Sequence, residues 1–439
     1  MKKIFKYILT FLILFLMFNI LLFAGSTFPS SIIKDNVKES SKTLSQEGNY
    51  YIISKYFGNE NDNYTDSIMI NEAYSIDNTN PIYSYLAVRK NYEKGITQKY
   101  WQDTQGELIS INNLNDYDPV GELAEFLDGN IDTSITYARY WHGYLPILRT
   151  LLIFFNITEI RRLLLIIFII LFIYFIWLLK KKFGLTISLI FALALVFEGY
   201  FFASYSLENA PIFLVMMISG ITLLKRIEKM QNFYLYIFIV ACITNFVDYL
   251  TVPLITLAIP LYIFILYKQQ KEPNLDYKYY LKITIKTIII WGLGYAITWL
   301  SKWAIYDILY GGELIKSAIN QIMYRTQSTN VKTKLTIDIV LENFLAENLA
   351  YIDIIGFIII LISLPKIKKY KLKLNSIDEI LTKTTIPVII ISLMPILWYV
   401  LLSNHTVIHW KFVYRHMIIF LIGMLICLRN MFNLEKNKK

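Results

Sequence analysis

Four histidines occur in the whole chain, His142, His405, His409 and His416, and all sit at the margins of long apolar runs. Imidazole titrates near neutrality, so such a set could move protons or meet the charge of a bound phosphate. Exclusion of polar groups from lipid would also collect histidines at helix ends, and both readings stand. His405 and His409 have the i, i+4 spacing of a helical zinc pair, but no HExxH, cysteine or carboxylate pair completes a metal site. With Lys411 and Arg415 they read instead as a cationic rim, because a guanidinium grips phosphate through a rigid fork of donors. Arg139, His142 and Arg149, followed by Arg161 and Arg162, crowd the start of an uncharged run from Leu163 to Leu179, and Lys180, Lys181 and Lys182 close it.

The acids form a second class. Asp248 lies inside the apolar stretch NFVDYLTVP, and Glu198 and Glu208 flank the turn SYSLENAP. An ionisable group at membrane depth is costly, so its default reading is functional; in a loop it needs no such reading. Asp66, within NDNYTDSIMINEAY, opens a helical pattern as an N-cap or as a general base, and Glu72 and Asp77 compete for the second role.

These residues need elements to hold them. With 56% hydrophobic residues, 17% charged and a mean hydropathy of +0.46, the chain has more apolar content than a water-soluble core can hide, which indicates a multi-pass membrane protein. The aromatic share of 16% suits rings at headgroup level, and equally an AT-rich codon bias. Ten spans are expected, the first over 1–24 and others near 160–179, 184–203, 210–224, 283–304, 348–364, 386–402 and 413–428. The apolar stretch 233–267 splits into two short helices at Asp248. This is an all-α architecture: one helix, a large and mainly helical extracytoplasmic domain over 25–158, then a nine-helix membrane domain over 159–439 with an outer loop near 305–347. Asp66–Tyr74 and Val120–Leu127 read as helices of the large domain.

Charge orients the scheme. Residues 25–143 carry 17 acidic and 9 basic side chains, net −8, although the whole chain is +10. Every dense lysine cluster then falls on one side, which places both termini in the cytoplasm and the large domain outside the cell membrane. Lys2, Lys3 and Lys6 before the run Ile8–Ala24 read as a retained first helix in preference to a cleaved signal. No basic face interleaved with stacking aromatics appears, so nucleic acid is not an expected partner. Cys242 and Cys427 lie far apart in apolar runs and fit neither a disulfide framework nor a metal site.

The order of features resembles the integral-membrane glycosyltransferases of the GT-C type. A first helix is followed by a large acidic loop; LLIFFNITEIRRL, Leu151–Leu163, then leads into a descending helix that ends in KKKFG, and SYSLENAPIFL is similar to the loop between their third and fourth helices. Their paired-acid motif soon after the first helix is absent here. The resemblance implies transfer of a sugar from a polyprenyl-phosphate donor to a cell-envelope glycan acceptor on the outer face of the bilayer. It also implies an acid of the first loop as base or as contact to a divalent cation, a role carried over to Asp66. Arg139, His142 and Arg415 would then neutralise the departing phosphate, Arg149, Glu208, Asp248, His405 and His409 would line the substrate, and grooves between the helices of 233–267 would take the isoprenoid tail. Two rivals remain: a flippase or carrier, which would need broken helices and internal repeats that the chain does not display, and a non-catalytic assembly protein of the envelope.

Overall fold

A computed structural model describes residues 2–54, 59–92, 118–272, 275–326, 370–374 and 385–436. The chain begins with helix α1 (Lys2–Ser26), a 3-10 turn (Ser30–Ile33) and α2 (Lys34–Glu47). The antiparallel ladder β1 (Tyr50–Ser54) and β2 (Asn59–Asp62) follows, pairing Tyr50 with Asp62, and then α3 (Asn63–Tyr74) and α4 (Pro81–Ala87). A second ladder joins β3 (Arg89–Asn91) to β4 (Ser134–Thr136), with α5 (Pro119–Leu127) between them in sequence. Next come α6 (Leu145–Phe154), α7 (Ile157–Phe183), α8 (Leu185–Phe197), α9 (Ala210–Arg226), α10 (Phe233–Val247), α11 (Leu254–Lys271), α12 (Tyr277–Tyr310) and α13 (Leu314–Thr326). After β5 (Tyr370–Leu374) the chain makes α14 (Thr385–Ser392), α15 (Met394–Leu401), α16 (Ser403–Ile408), α17 (Trp410–Val413) and α18 (Met417–Met431), and β6 (Phe432–Lys436) pairs back to β5.

Among the described residues four helices are long and apolar enough to cross a bilayer: Ile4–Ser26, Ile157–Phe183, Tyr277–Tyr310 and Lys411–Met431. In α1 a single narrow stripe is buried, Leu14, Phe18 and Leu22, while Ile8, Leu12, Leu16 and Ile20 are exposed, a surface suited to lipid and not to water. Phe18 stacks on Phe246 with ring centroids 4.0 Å apart. Helix α7 is set by its ends. Asn156 accepts from the amides of Thr158 and Glu159 while Glu159 returns a bond to the Asn156 amide, and Gly184 stops the helix at φ 89 after three lysines that suit the negative C-terminal pole.

Not every expected span has membrane length. Helix α8 has 13 residues, roughly 20 Å against a hydrocarbon core of about 30 Å. The expected 386–402 span is divided between α14 and α15, with Pro395 just inside the second. The expected 348–364 span lies outside the described residues. The break at Asp248 is where expected, between α10 and α11. Helix α11 is buried around almost its whole circumference, at the centre of the main apolar core. The large polar domain is helical with two short ladders, and α3 runs through it as a buried rod, with ten of its twelve residues buried.

Candidate functional site

Helix α3 is positioned by Asp62, whose carboxylate accepts from the Thr65 amide and hydroxyl at 3.0 Å each. Asp62 is therefore the N-cap and Asp66 lies one turn inside the helix. Asp66 is fully buried. Its Oδ1 accepts from the Leu207 amide at 2.9 Å and its Oδ2 lies 3.4 Å from Arg161 Nη2.

Arg161, on α7, spreads its fork over three neighbours: Glu47 Oε2 at 2.8 Å, Asn63 Oδ1 at 2.7 Å and the Tyr205 carbonyl at 2.9 Å. It thus joins the end of α2, the start of α3 and the turn before α9. Glu208, in that turn, is buried beside Asp62 and Asp66 and feels Arg415 from the last helical segment. Lys411 pairs with Glu60 at 2.6 Å and packs over the Tyr50 ring; burial raises the Asp62 carboxyl, opposed by the Thr65 bonds and then by Lys411.

The electrostatics follow from that crowding. Burial, opposed mainly by Arg161, raises the Asp66 carboxyl from 3.8 to about 7. Burial and then the charges of Asp62 and Asp66 hold Glu208 well above the ordinary carboxylate range. Glu208 Oε2, Asn209 Oδ1 and Arg415 Nε are buried without a hydrogen-bond partner among the described residues, an arrangement that folded proteins mostly avoid. Beside this cluster an apolar groove runs between α6, α7 and α9, lined by Met69, Leu148, Leu151, Leu164, Leu207 and Leu214.

Glu72 is held elsewhere. Tyr144 donates to its Oε2 and Tyr249 to its Oε1 at 2.9 Å. His142 Nδ1 lies 3.4 Å from Glu72 Oε2 and 3.1 Å from the Tyr144 hydroxyl, and Nε2 lies 2.7 Å from the Tyr137 carbonyl, which can only accept. His142 adopts φ 54. The next residue must be glycine, because a Cβ on Gly143 would meet the Phe246 carbonyl at 2.4 Å. A second left-handed residue, Leu250 at φ 64, lies in the Asp248–Pro253 loop that faces this cluster. Asp248 organises that loop by accepting from the Thr251 amide at 2.9 Å and from the Tyr295 hydroxyl at 2.6 Å.

His405 Nε2 lies 3.0 Å from the Leu250 carbonyl and must donate to it, which leaves Nδ1 as acceptor for Arg325 Nη1 at 3.3 Å. Burial and then Arg325 push the imidazole well below its ordinary value, consistent with that neutral tautomer. The His409 ring lies 4.7 Å from that of His405, but His405 has no nitrogen left for a metal. Among the described residues no group of three His, Cys, Asp or Glu could hold a metal ion. Arg139 packs over Tyr137, and Tyr140 stacks on Tyr249 at 4.8 Å, so half-buried rings and two arginines line this side.

The singled-out residues therefore divide. Asp66, Glu208 and Arg415 share one cluster; Glu72, His142, Arg139, Asp248, His405 and His409 share another. The expectation that Asp66 faces Arg139 and His142 is corrected. Six residues separate Asp66 from Glu72, which turns their side chains about 120° apart around α3 and roughly 9 Å along it. Arg149 belongs to neither cluster: its donors go to the carbonyls of Gly25, Ala73 and Phe28 and to the Ser30 hydroxyl, clamping α1 to α3. Asp77 is exposed and closes a turn through the Thr79 amide and hydroxyl, which lower its carboxyl. The tail groove expected within 233–267 is also displaced, since α11 is packed solid and the groove beside Asp66 lies between α6, α7 and α9.

Asp62, Tyr144 and Tyr249 are additions. Asp62 carries a sequence signal, an Asp three residues before Thr65 at a helix start; the tyrosines carry none among 33. Comparison of the chain with protein-family models, curated proteins and solved structures finds no match.

Proposed function

We propose that the chain is a multi-pass membrane glycosyltransferase that moves a sugar from a polyprenyl-phosphate donor to a cell-envelope glycan acceptor at the outer bilayer face. The observation that carries the proposal is Asp66: a buried carboxylate raised to about 7, with the groove-lining Leu207 bonded to it through its amide and Met69 three residues along the same helix. A general base is most effective when its pKa lies near the working pH, and an apolar groove suits an isoprenoid chain. Asp66 takes the proton of the acceptor hydroxyl, the acceptor oxygen bonds to the anomeric carbon, and the bond from that carbon to the phosphate oxygen breaks, releasing polyprenyl phosphate. Arg415 offers positive charge to that anion, where charge develops.

Glu72 and His142, with the aromatic side formed by Tyr140 and Tyr249, lie across α3 from Asp66 and hold the helix that carries it. The ten-span topology with both termini inside belongs to the same reading. The test is turnover: purified protein in liposomes is offered polyprenyl-phosphate sugars with an envelope glycan fraction, and formation of a glycosylated acceptor is followed by mass spectrometry. Absence of transfer, together with donor movement across the bilayer, would favour the carrier reading.

A further inference from the structure

At the end of the bundle remote from Asp66, the C-termini of α7, α9 and α11 surround a cleft of about 730 Å³. Among the described residues, Lys181 and Lys182 enter it from α7, Lys225 from α9 and Lys271 from α11, with Glu228 as the one lining acid. Glu228 is engaged by Lys182, so four lysines and one glutamate leave a formal +3. Three helix C-termini offset roughly half a charge each, and the cleft stays positive. Lys181, Lys225 and Lys271 are exposed, and three of the ammonium groups lie over rings: Lys181 lies 5.3 Å from the Trp177 ring centre, Lys182 5.1 Å from that of Tyr267 and Lys225 5.9 Å from that of Tyr174. Below Trp177 an apolar stripe of α7 is exposed at helical spacing, Ile166, Ile170 and Ile173.

We propose that this cleft binds the headgroup of an anionic phospholipid, its phosphodiester among Lys181, Lys225 and Lys271 and one acyl chain along the Ile166–Trp177 stripe. Basic pockets between membrane helices bind such headgroups through charge near the surface, with the tail supplying apolar contact. A soluble phosphate would use the lysines without the stripe, so the two ligands can be separated. The inference does not depend on the glycosyltransferase reading.

The experiment follows thermal unfolding of the full-length protein in a neutral detergent. Phosphatidylglycerol, phosphatidylcholine or inorganic phosphate is added to wild type, to Lys181→Gln/Lys225→Gln/Lys271→Gln, and to a control, Lys6→Gln/Lys278→Gln/Lys282→Gln, that removes the same charge outside the cleft. Phosphatidylglycerol is expected to raise the unfolding temperature of wild type and control by several degrees more than phosphatidylcholine does, and the cleft variant is expected to lose that difference. Retention of the difference in the cleft variant, its equal loss in the control, or its reproduction by inorganic phosphate overturns the proposal. If the cleft variant does not fold, native mass spectrometry of wild type decides: phosphatidylglycerol retained over phosphatidylcholine supports the site, and equal retention overturns it.

Discussion

Asp66 and Glu72 sit six residues apart on the buried helix α3 and face different partners, Asp66 the Arg161 fork and the Leu207 amide, Glu72 two tyrosine hydroxyls and His142. One helix therefore divides a carboxylate cluster beside an apolar groove from an aromatic cluster flanked by arginines. Each side makes separate expectations.

Asp66→Asn keeps an acceptor for the Leu207 amide but removes the base. Transfer should fall by roughly 10²–10⁴-fold, while the protein stays folded and inserted. Asp77→Ala, which alters only an exposed turn, should leave transfer unchanged; steady-state kinetics on both variants checks the assignment.

The pH dependence has a definite sign. The folded-state value of Asp66, about 7, lies above its ordinary 3.8, so between these values the folded chain holds more protons than the unfolded one. Stability should therefore decline as pH rises through that window, while transfer, which needs the carboxylate, should rise toward a plateau above about pH 7. Asp66→Asn should flatten part of the stability slope, measured as unfolding temperature from pH 5 to 8.

Arg161 is a structural cation. Arg161→Ala leaves Glu47 and the buried Asp66 without their shared partner, and loss of one side of a buried pair costs about 3–5 kcal/mol. Unfolding temperature should drop steeply, and Arg161→Lys, which cannot reproduce the fork, should recover only part of it.

On the other side of α3, Tyr249→Phe removes a donor from a fully buried carboxylate, at about 1–3 kcal/mol. Gly143→Ala should cost about 3 kcal/mol, because its Cβ would meet the Phe246 carbonyl at 2.4 Å and the ring of the same residue at 2.5 Å. Equal stability of Gly143→Ala and wild type in thermal unfolding would contradict the described turn.

Parts of this arrangement were legible in the sequence because they depend on local order. The uncharged run Leu163–Leu179 between arginines and lysines reads directly as α7, and the Asp and Pro of NFVDYLTVP mark the break between α10 and α11. Asp66 was legible as a notable acid because it opens a helical pattern in the polar segment after the first apolar run. Its partners were not, because Leu207 and Arg161 reach it from distant segments. Arg149 shows the same limit: an arginine among aromatics at a helix start looks like an anion site, and only packing shows its fork filled by carbonyls. Helix α8 is shorter than the expected 184–203 because apolar composition continues past Gly199 into a turn.

The most direct test of the central claim is the release of polyprenyl phosphate from a polyprenyl-phosphate sugar by purified protein in liposomes, compared between wild type and Asp66→Asn with an acceptor glycan present. Acceptor-dependent release by wild type and near-complete loss in the folded variant is the expected result. Release at the same rate by both proteins would contradict the account.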